Sequence, residues 1–275
     1  MKFLFLLLFT IQLFSYDRII ALSPSINEII YALDSADKIV GNTDFCNYPQ
    51  DAKNKPKVGG YFSPSLEKII SLKPDMVIMQ NSSIKLSKKL NRLGIKTTIV
   101  KKKRLDDIQN SIKIIGDVLD KKDSAKKILD KLNQKLKDIK GIVKDKKILF
   151  VIGHNTNLEK RIFVAGENLY FDDIINLSGN KNAYQSSFQG QPVLNLENII
   201  ATNPDIVVLL APFTDKKGVT KDDLIKPWLS LPIDAKKDKT IYVVDKHYAG
   251  IPSQRLIYLL DDLKGFLEDA RDKKL

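Results

Sequence analysis

Short runs of mostly apolar residues alternate along the chain with segments whose apolar positions recur every three or four residues. The runs at 147–152 and 205–210 have the length and composition of buried strands. Ile26, Ile29 and Leu33 fall on one face of a predicted helix. Buried strands that alternate with amphipathic helices are typical of parallel sheets covered by helices. The pattern therefore predicts an α/β fold.

A fifteen-residue phrase occurs twice, at 65–79 and at 195–209, with an offset of 130 residues and no gap. Each copy begins with a residue that favours a helix N-cap, Ser65 or Asn195. A short apolar helix, a Pro-Asp break and a buried strand follow in both copies. The repeat predicts two similar α/β lobes, and the cleft between two such lobes suits a small molecule.

The segment 105–140 contains no proline and carries two stripes of aliphatic residues. It predicts one long helix, or two helices joined near 120–121, that connects the lobes; a coiled-coil partner helix is the rival interpretation. The expected division is therefore an N-terminal lobe at 16–104, a connecting long helix at 105–140 and a C-terminal lobe at 141–275. The expected fold class is α/β, with two similar lobes and mostly parallel sheets, joined by one long α-helix.

Residues 1–15 differ from the rest of the chain. A basic start, an apolar run at 3–14 and the small residue Ser15 are typical of a secretory signal peptide, whose apolar core is too short to span a bilayer. A buried N-terminal helix or strand is the alternative. No cysteine lies near the predicted cleavage point, so no lipobox is expected and the predicted location is the periplasm. Cys46 is alone, which excludes an intramolecular disulfide and favours a small buried hydrophobe.

Charge adds little evidence about the partner. The formal net charge is +12, but the chain contains only six arginines among 45 basic residues. Nucleic-acid readers favour arginine for bidentate contacts, so no nucleic-acid partner is expected. Lysine runs such as 101–103 are interpreted as solvated faces. Long-range steering of an anionic ligand is compatible with the charge.

Catalytic signatures are scarce. The chain has no Gly-x-Ser-x-Gly elbow, no Walker phosphate loop and no His-Glu-x-x-His motif. Its two histidines, His154 and His247, each follow a predicted strand of the C-terminal lobe, where open α/β sheets bind ligands. They are either ligand contacts or loop residues with satisfied hydrogen bonds. Two imidazoles are too few for an ordinary zinc or manganese site, so no metal, cofactor or catalytic residue is expected.

Aromatic and acidic residues supply further candidates. Tyr61 follows two glycines that allow close backbone approach. Phe213 and Tyr248 lie in or near loops of the C-terminal lobe, as does Phe188; each is either a ligand contact or ordinary loop packing. Glu67 and Glu197 stand in the first turns of the repeated helices. One interpretation is that each carboxylate interacts favourably with the positive end of its helix dipole, which stabilises the helix by about 0.3–1 kcal/mol. The alternative is that the pair binds a two-fold symmetric partner.

The stretches 20–33, 39–49 and 56–75 together resemble the N-terminal lobe of cobalamin and iron-siderophore periplasmic binding proteins, the substrate receptors of ABC importers. The phrases 43–49 and 58–60 are most similar to the cobalamin-receptor branch. The sequence departs from the family at Asp34, where a glycine is usual.

The resemblance implies two stiff lobes bridged by a long helix, with little lobe closure. It also implies that Glu67 and Glu197 engage arginines of the permease. The ligand contacts that it implies are Ser23, Pro24, Ser25, Tyr61, Asn81, His154, Phe188, Phe213, His247 and Tyr248.

These observations predict a monomeric periplasmic receptor that binds a corrinoid of the vitamin B12 type and delivers it to a dimeric permease in the inner membrane. A ferric-siderophore or haem receptor is the alternative within the family, because the lysine excess fits an anionic chelate although clustered arginines are lacking. Two alternatives from other classes are a metal-dependent enzyme on a similar two-lobed fold and an extracytoplasmic adhesion or scaffold protein.

Overall fold

The computed structural model describes residues 16–186, 191–214 and 218–273. The segment 1–15, which is expected to be a signal peptide, and Phe188 lie outside the described residues. Within the described part of the chain, no helix has the length and apolar character needed to cross a bilayer.

The N-terminal lobe contains a four-stranded sheet in the order β2-β1-β3-β4, with all neighbouring strands parallel. One face of the sheet packs on α1, and the other packs on α2 and α3. The elements of this lobe are β1 (Ile19–Ala21), α1 (Pro24–Ala32), β2 (Ile39–Asn42), α2 (Leu66–Ser71), β3 (Met76–Gln80), α3 (Ile84–Arg92) and β4 (Lys96–Val100).

Helix α1 ends in a turn whose left-handed residue is Asp34, with φ of 52°. Glycine is favoured in this conformation, but the short polar side chain of aspartate tolerates it. The N–H of Ser35 bonds to the carbonyl of Ile30 at 3.2 Å, which satisfies the helix end. The turn at which the family resemblance implies a glycine is therefore built with aspartate.

Residues 105–140 form two helices, α4 (Leu105–Val118) and α5 (Lys122–Asp138). The chain turns at Asp120, which has φ of 56°. Gln109 donates a hydrogen bond to Asn133 at 2.7 Å, so α5 runs back along α4. The connection is therefore a helical hairpin. Of the two expectations from the sequence, the structure has the two joined helices and not the one long helix. The physical reason is the polar turn at 120–121, which interrupts the apolar stripes.

The C-terminal lobe contains a six-stranded sheet. The main path is β10-β9-β5-β6-β8, and β7 pairs with β5. Strands β5, β9 and β10 are parallel, whereas β6 is antiparallel to both β5 and β8. The elements are β5 (Lys147–Ile152), β6 (Ile162–Val164), α6 (Tyr170–Leu177), β7 (Lys181–Asn182), β8 (Val193–Leu194), α7 (Leu196–Thr202), β9 (Ile206–Leu210), α8 (Lys221–Ile225), α9 (Asp234–Lys237), β10 (Ile241–Val244) and α10 (Leu256–Asp272).

The repeated phrase folds as predicted in both lobes, as α2 followed by β3 and as α7 followed by β9. The side chain of Ser65 caps α2 and that of Asn195 caps α7, each by accepting a backbone N–H. The repeated aspartate also has one role in both lobes. Asp75 accepts the N–H groups of Asp17 and Arg18 just before β1, and Asp205 accepts the N–H of Lys147 at the start of β5.

The two lobes share a continuous apolar core. It extends from α1 through α4 and α5 to α6 and α10. Helix α4 contacts α1 on one side and α6 on the other. The backbone N–H of Tyr170 donates to the carbonyl of Lys103 at 2.8 Å, and Arg104 forms an ion pair with Asp173. These contacts fix the walls of the cleft between the lobes.

Candidate ligand-binding cleft

The loops that follow the parallel strands of both lobes meet at one cavity. In the N-terminal lobe, Asn81 follows β3 and Lys101 follows β4. In the C-terminal lobe, Ile152 ends β5, and Gly250 and Pro252 lie between β10 and α10. All five line the same cavity. Its position outside the carboxyl ends of the strands is the usual place for a ligand in open α/β sheets.

The cavity has a volume of about 600 Å³, within the usual range for small-molecule sites. Its two walls differ in chemistry. Leu169, Tyr170 and Phe171 at the start of α6 give the C-terminal wall an apolar surface. Burial raises the pKa of Tyr170, so its phenol stays neutral. The other wall is basic and is made by Lys101, Lys102 and Lys103, with Asp107 of α4 beside them.

An aromatic pair lies next to the basic wall. The ammonium group of Lys102 lies 4.7 Å from the ring centroid of Tyr61. Tyr61 meets Phe62 edge to face, with ring centroids 4.7 Å apart, and Phe62 is 91 % exposed. The structure thus brings Tyr61 to a basic residue that lines the cavity. Sequence reasoning did not select the lysines as site residues.

Ser23, Pro24 and Ser25 form the start of α1. Ser23 caps the helix, and Pro24 occupies its first position, where a missing N–H costs nothing. Both serines are buried and accept hydrogen bonds from Gln80 Nε2. Their hydroxyls therefore take part in an internal polar network.

Gln80, the last residue of β3, is 2 % exposed, and its Oε1 has no hydrogen-bond partner among the described residues. Its position just before Asn81 makes it a polar group that sequence reasoning missed. The available clue was an amide at the end of an otherwise apolar strand.

The two histidines lie in adjoining loops. His154 Nε2 contacts the carbonyl oxygen of Pro212, and the neighbouring Phe213 meets His247 edge to face with centroids 4.6 Å apart. His247 Nδ1 lies 2.9 Å from the guanidinium of Arg255. The structure therefore brings together His154, Phe213 and His247. In 16–186, 191–214 and 218–273 there is no group of three or more His, Cys, Asp or Glu placed to hold a metal ion.

Tyr248 points toward α10. Its hydroxyl donates to Asp262 at 2.7 Å, and its ring lies against Tyr258. Burial and the Asp262 carboxylate raise the pKa of Tyr248, so the hydroxyl is a donor. Tyr248 does not line the cavity described above.

Glu67 and Glu197 occupy equivalent places in the two lobes. Each is in the first turn of its short helix, α2 or α7, and each is exposed. Two residues after the glutamates, Ile69 and Ile199 are fully buried and hold the helices on their sheets. The repeat thus presents one carboxylate from each lobe to solvent.

Comparison with known proteins agrees with this architecture. The model of a family described as periplasmic binding protein matches residues 19–248. An uncharacterized ABC transporter substrate-binding lipoprotein of Bacillus subtilis is 32 % identical over 259 residues, which is 90 % of this chain and 78 % of the relative. A vitamin B12-binding protein of Vibrio vulnificus is 26 % identical over 269 residues, 94 % of this chain and 93 % of the relative.

Two solved structures show the same fold. The vitamin B12-binding protein of Vibrio cholerae superposes with a TM-score of 0.76 at 21 % identity, covering 93 % of this chain and 98 % of that structure. A haem-binding protein of a Roseiflexus species superposes with a TM-score of 0.74 at 24 % identity, covering 92 % and 98 %.

The predicted family resemblance is therefore confirmed. Substrate-binding proteins of ABC transporters bind small ligands and deliver them to a permease. From the family match over residues 19–248 and the relative that is 32 % identical, the chain belongs to the periplasmic binding protein family, the substrate-binding proteins of ABC transporters.

Proposed function

We propose that this protein captures a corrinoid outside the cytoplasm and delivers it to a dimeric ABC permease. The observation that carries the proposal is the cavity between the carboxyl ends of the two sheets, with an apolar wall from Leu169 to Phe171 on one side. A large ligand with apolar faces gains most of its binding free energy from such a surface, and a few polar groups fix its orientation. Asn81 and Gln191 are polar groups on the same cavity.

One observation favours a second candidate, an anionic metal chelate such as a ferric siderophore or haem. Lys101, Lys102 and Lys103 lie on the cavity wall. A run of lysines is usually a solvated surface face, but this run lines the cavity. A carboxylate or catecholate oxygen would gain a charge-assisted contact from an ammonium group there. The net charge, +12 for the full sequence and +11 without Lys2 of the proposed signal peptide, would also raise the association rate of an anion at low ionic strength.

Isothermal titration calorimetry separates the two candidates. The purified protein is titrated in turn with cyanocobalamin, haemin and a ferric catecholate. Sub-micromolar binding of cyanocobalamin alone supports the corrinoid proposal. No heat with cyanocobalamin and sub-micromolar binding of haemin or the ferric chelate overturns it in favour of the second candidate.

Export and docking belong to the same proposal. Segment 1–15 is proposed to direct the chain to the periplasm and to be removed there, and Glu67 and Glu197 are proposed to contact the permease. The intact mass of the protein recovered from the periplasmic fraction tests the first point. A mass that corresponds to a chain beginning near Tyr16 supports removal, whereas the mass of the full 275 residues contradicts it.

A further inference from the structure

Helix α3 carries a row of cations on its exposed face. Lys85, Lys88, Lys89 and Arg92 follow the i, i+3, i+4, i+7 spacing that puts residues on one side of a helix. All four are exposed, whereas Leu90 on the opposite side is fully buried in the core beneath α2 and α3. We call these four residues the α3 stripe.

No described carboxylate neutralises the α3 stripe. None of its four cations forms an ion pair with a described residue, whereas Lys126 and Lys135 of α5 pair with Asp130 and Asp261. The surrounding sequence has the same bias. From Met76 to Leu105 the chain contains nine basic residues and no acidic one. The segment that carries the stripe therefore contains only positive charges.

Exposed apolar side chains stand at both ends of the stripe. Ile84 is 48 % exposed and Leu93 is 56 % exposed. Clustered cations on a protein surface are attracted to the anionic headgroups of a bilayer. The two exposed aliphatic side chains can add apolar contact at the interface.

The stripe lies on the same layer of the lobe as Glu67. Helices α2 and α3 cover one face of the N-terminal sheet, where Ile69 of α2 and Leu90 of α3 share a core. A surface on this layer can face a bilayer while the neighbouring helix faces a membrane-embedded partner.

We propose that the α3 stripe binds the anionic lipid headgroups of a membrane surface. The bound segment is residues 84–93, which contribute the four cations and the two exposed aliphatic side chains. Binding concentrates the receptor at the membrane that holds its permease. The inference does not depend on the identity of the cavity ligand.

Co-sedimentation with lipid vesicles tests the proposal. The probes are vesicles of phosphatidylglycerol and phosphatidylcholine in a 1:3 ratio and vesicles of phosphatidylcholine alone, at low and high salt. The full chain is used throughout. Residues 1–15 are the same in every variant, and the phosphatidylcholine vesicles report any binding that they cause.

The test variant is K85Q/K88Q/K89Q, because glutamine removes the charge and keeps a high helix propensity. The matched control is K127Q/K131Q/K137Q, which removes the same charge from exposed positions of α5. Partitioning of the test variant into anionic vesicles is expected to fall by on the order of 100-fold, since each lysine near an anionic surface contributes roughly a fivefold factor. The control is expected to lose less than about threefold, because its lysines lie outside the bound face.

Equal losses in the two variants would show that overall charge and not the α3 stripe is responsible, which overturns the proposal. So would the failure of the unsubstituted protein to prefer anionic vesicles at low salt. A second measurement needs no variant. Hydrogen exchange of the unsubstituted protein with anionic vesicles is expected to slow at residues 84–93 and to be unchanged in α5; the absence of protection in α3 contradicts the inference.

Discussion

Arg255 and Glu28 form a buried ion pair that joins the two lobes. Arg255 Nε donates to Glu28 Oε2 at 3.0 Å, and their side chains are 5 % and 1 % exposed. The hydroxyl of Ser253 donates to the same carboxylate oxygen at 2.6 Å. The guanidinium also lies over the ring of Tyr48, 3.8 Å from its centroid. The pair thus connects α1 of the first lobe to the start of α10 in the second, beside the loop that holds His247.

Removing one partner of this pair is expected to be costly. Replacement of Arg255 with methionine leaves the Glu28 carboxylate buried without its counter-charge, which costs about 3–5 kcal/mol of unfolding free energy at neutral pH. The double variant E28L/R255M is expected to recover most of the loss, because hydrophobic groups of similar volume replace a buried pair at little cost. Urea unfolding of the two variants measures both values.

The loss in R255M is expected to depend on pH. Burial raises the pKa of Glu28 above its ordinary value of 4.5, and Arg255 and Ser253 offset part of this rise. When the pKa of an acid is higher in the folded state, its stabilisation is fully present below the unfolded pKa and is lost as the pH rises through the folded pKa. Without Arg255 the folded pKa rises further. R255M should therefore lose more stability at pH 7 than near pH 4, and an equal loss at both pH values would contradict this assignment.

Local patterns predicted the lobes but not their contacts. The helix cap, Pro-Asp break and apolar strand of each repeat copy are local features, and α2, β3, α7 and β9 formed where they were expected. Glu28 and Arg255 are 227 residues apart. In the sequence, Glu28 looks like an ordinary polar residue of a helix, and no periodicity links it to an arginine of the other lobe.

The basic wall of the cavity was missed for a related reason. Lys101, Lys102 and Lys103 were interpreted as a solvated face because a lysine run usually is one. They line the cavity because β4 is parallel to β3 and both strands end at the edge that faces the second lobe. Tyr248 was expected at the ligand site but does not line the cavity. It follows β10 as expected, but its hydroxyl bonds to Asp262 in α10, a partner that the loop sequence does not reveal.

Helices α4 and α5 of the hairpin pack closely at Gly116. A β-carbon at this position would lie 2.5 Å from the β-carbon of Ala125 in α5. G116A is therefore expected to lower the unfolding free energy by about 1–3 kcal/mol, despite the higher helix propensity of alanine. Thermal and urea unfolding provide the measurement.

Gly265 in α10 is the matched control for this substitution. A β-carbon there would meet nothing within 4 Å, so G265A is expected to stabilise the protein by up to about 1 kcal/mol. The double variant G116A/A125G should recover part of the loss, because it removes the clashing carbon. If G116A stabilised the protein as much as G265A does, the close packing of α4 on α5 would be wrong.

Tyr61 is expected to contribute its ring to ligand binding. Its ring is already paired with Lys102 and Phe62 at the basic side of the cavity. Y61A should weaken binding of the ligand found by calorimetry by about three- to tenfold, because aromatic contacts contribute about 0.5–1.5 kcal/mol beyond the area that they bury. Y61F keeps the ring and should bind nearly as well as the unsubstituted protein. A loss in Y61F equal to that in Y61A would assign the effect to the hydroxyl.

The lysines of the cavity distinguish a neutral ligand from an anionic one. If the ligand is a corrinoid such as cyanocobalamin, K101Q/K102Q/K103Q should bind it within about threefold of the unsubstituted protein, because the ligand carries no net charge and gains most of its binding free energy from apolar contact. The α5 variant K127Q/K131Q/K137Q controls for the change in net charge. A loss above about tenfold that is absent from the control, together with a strong salt dependence, would contradict the corrinoid proposal and favour an anionic chelate.

Glu67 and Glu197 are expected to act on delivery of the ligand and not on its capture. Both are exposed in the first turns of α2 and α7, and neither lines the cavity. Reversing both charges in E67K/E197K should leave the dissociation constant for the ligand unchanged and abolish uptake in proteoliposomes that contain the permease, because like charges at a docking surface disfavour association. The control D117K/E159K reverses two other exposed carboxylates and should retain uptake. Weaker ligand binding by E67K/E197K would mean that the glutamates support the cleft, and normal uptake would mean that docking uses another surface.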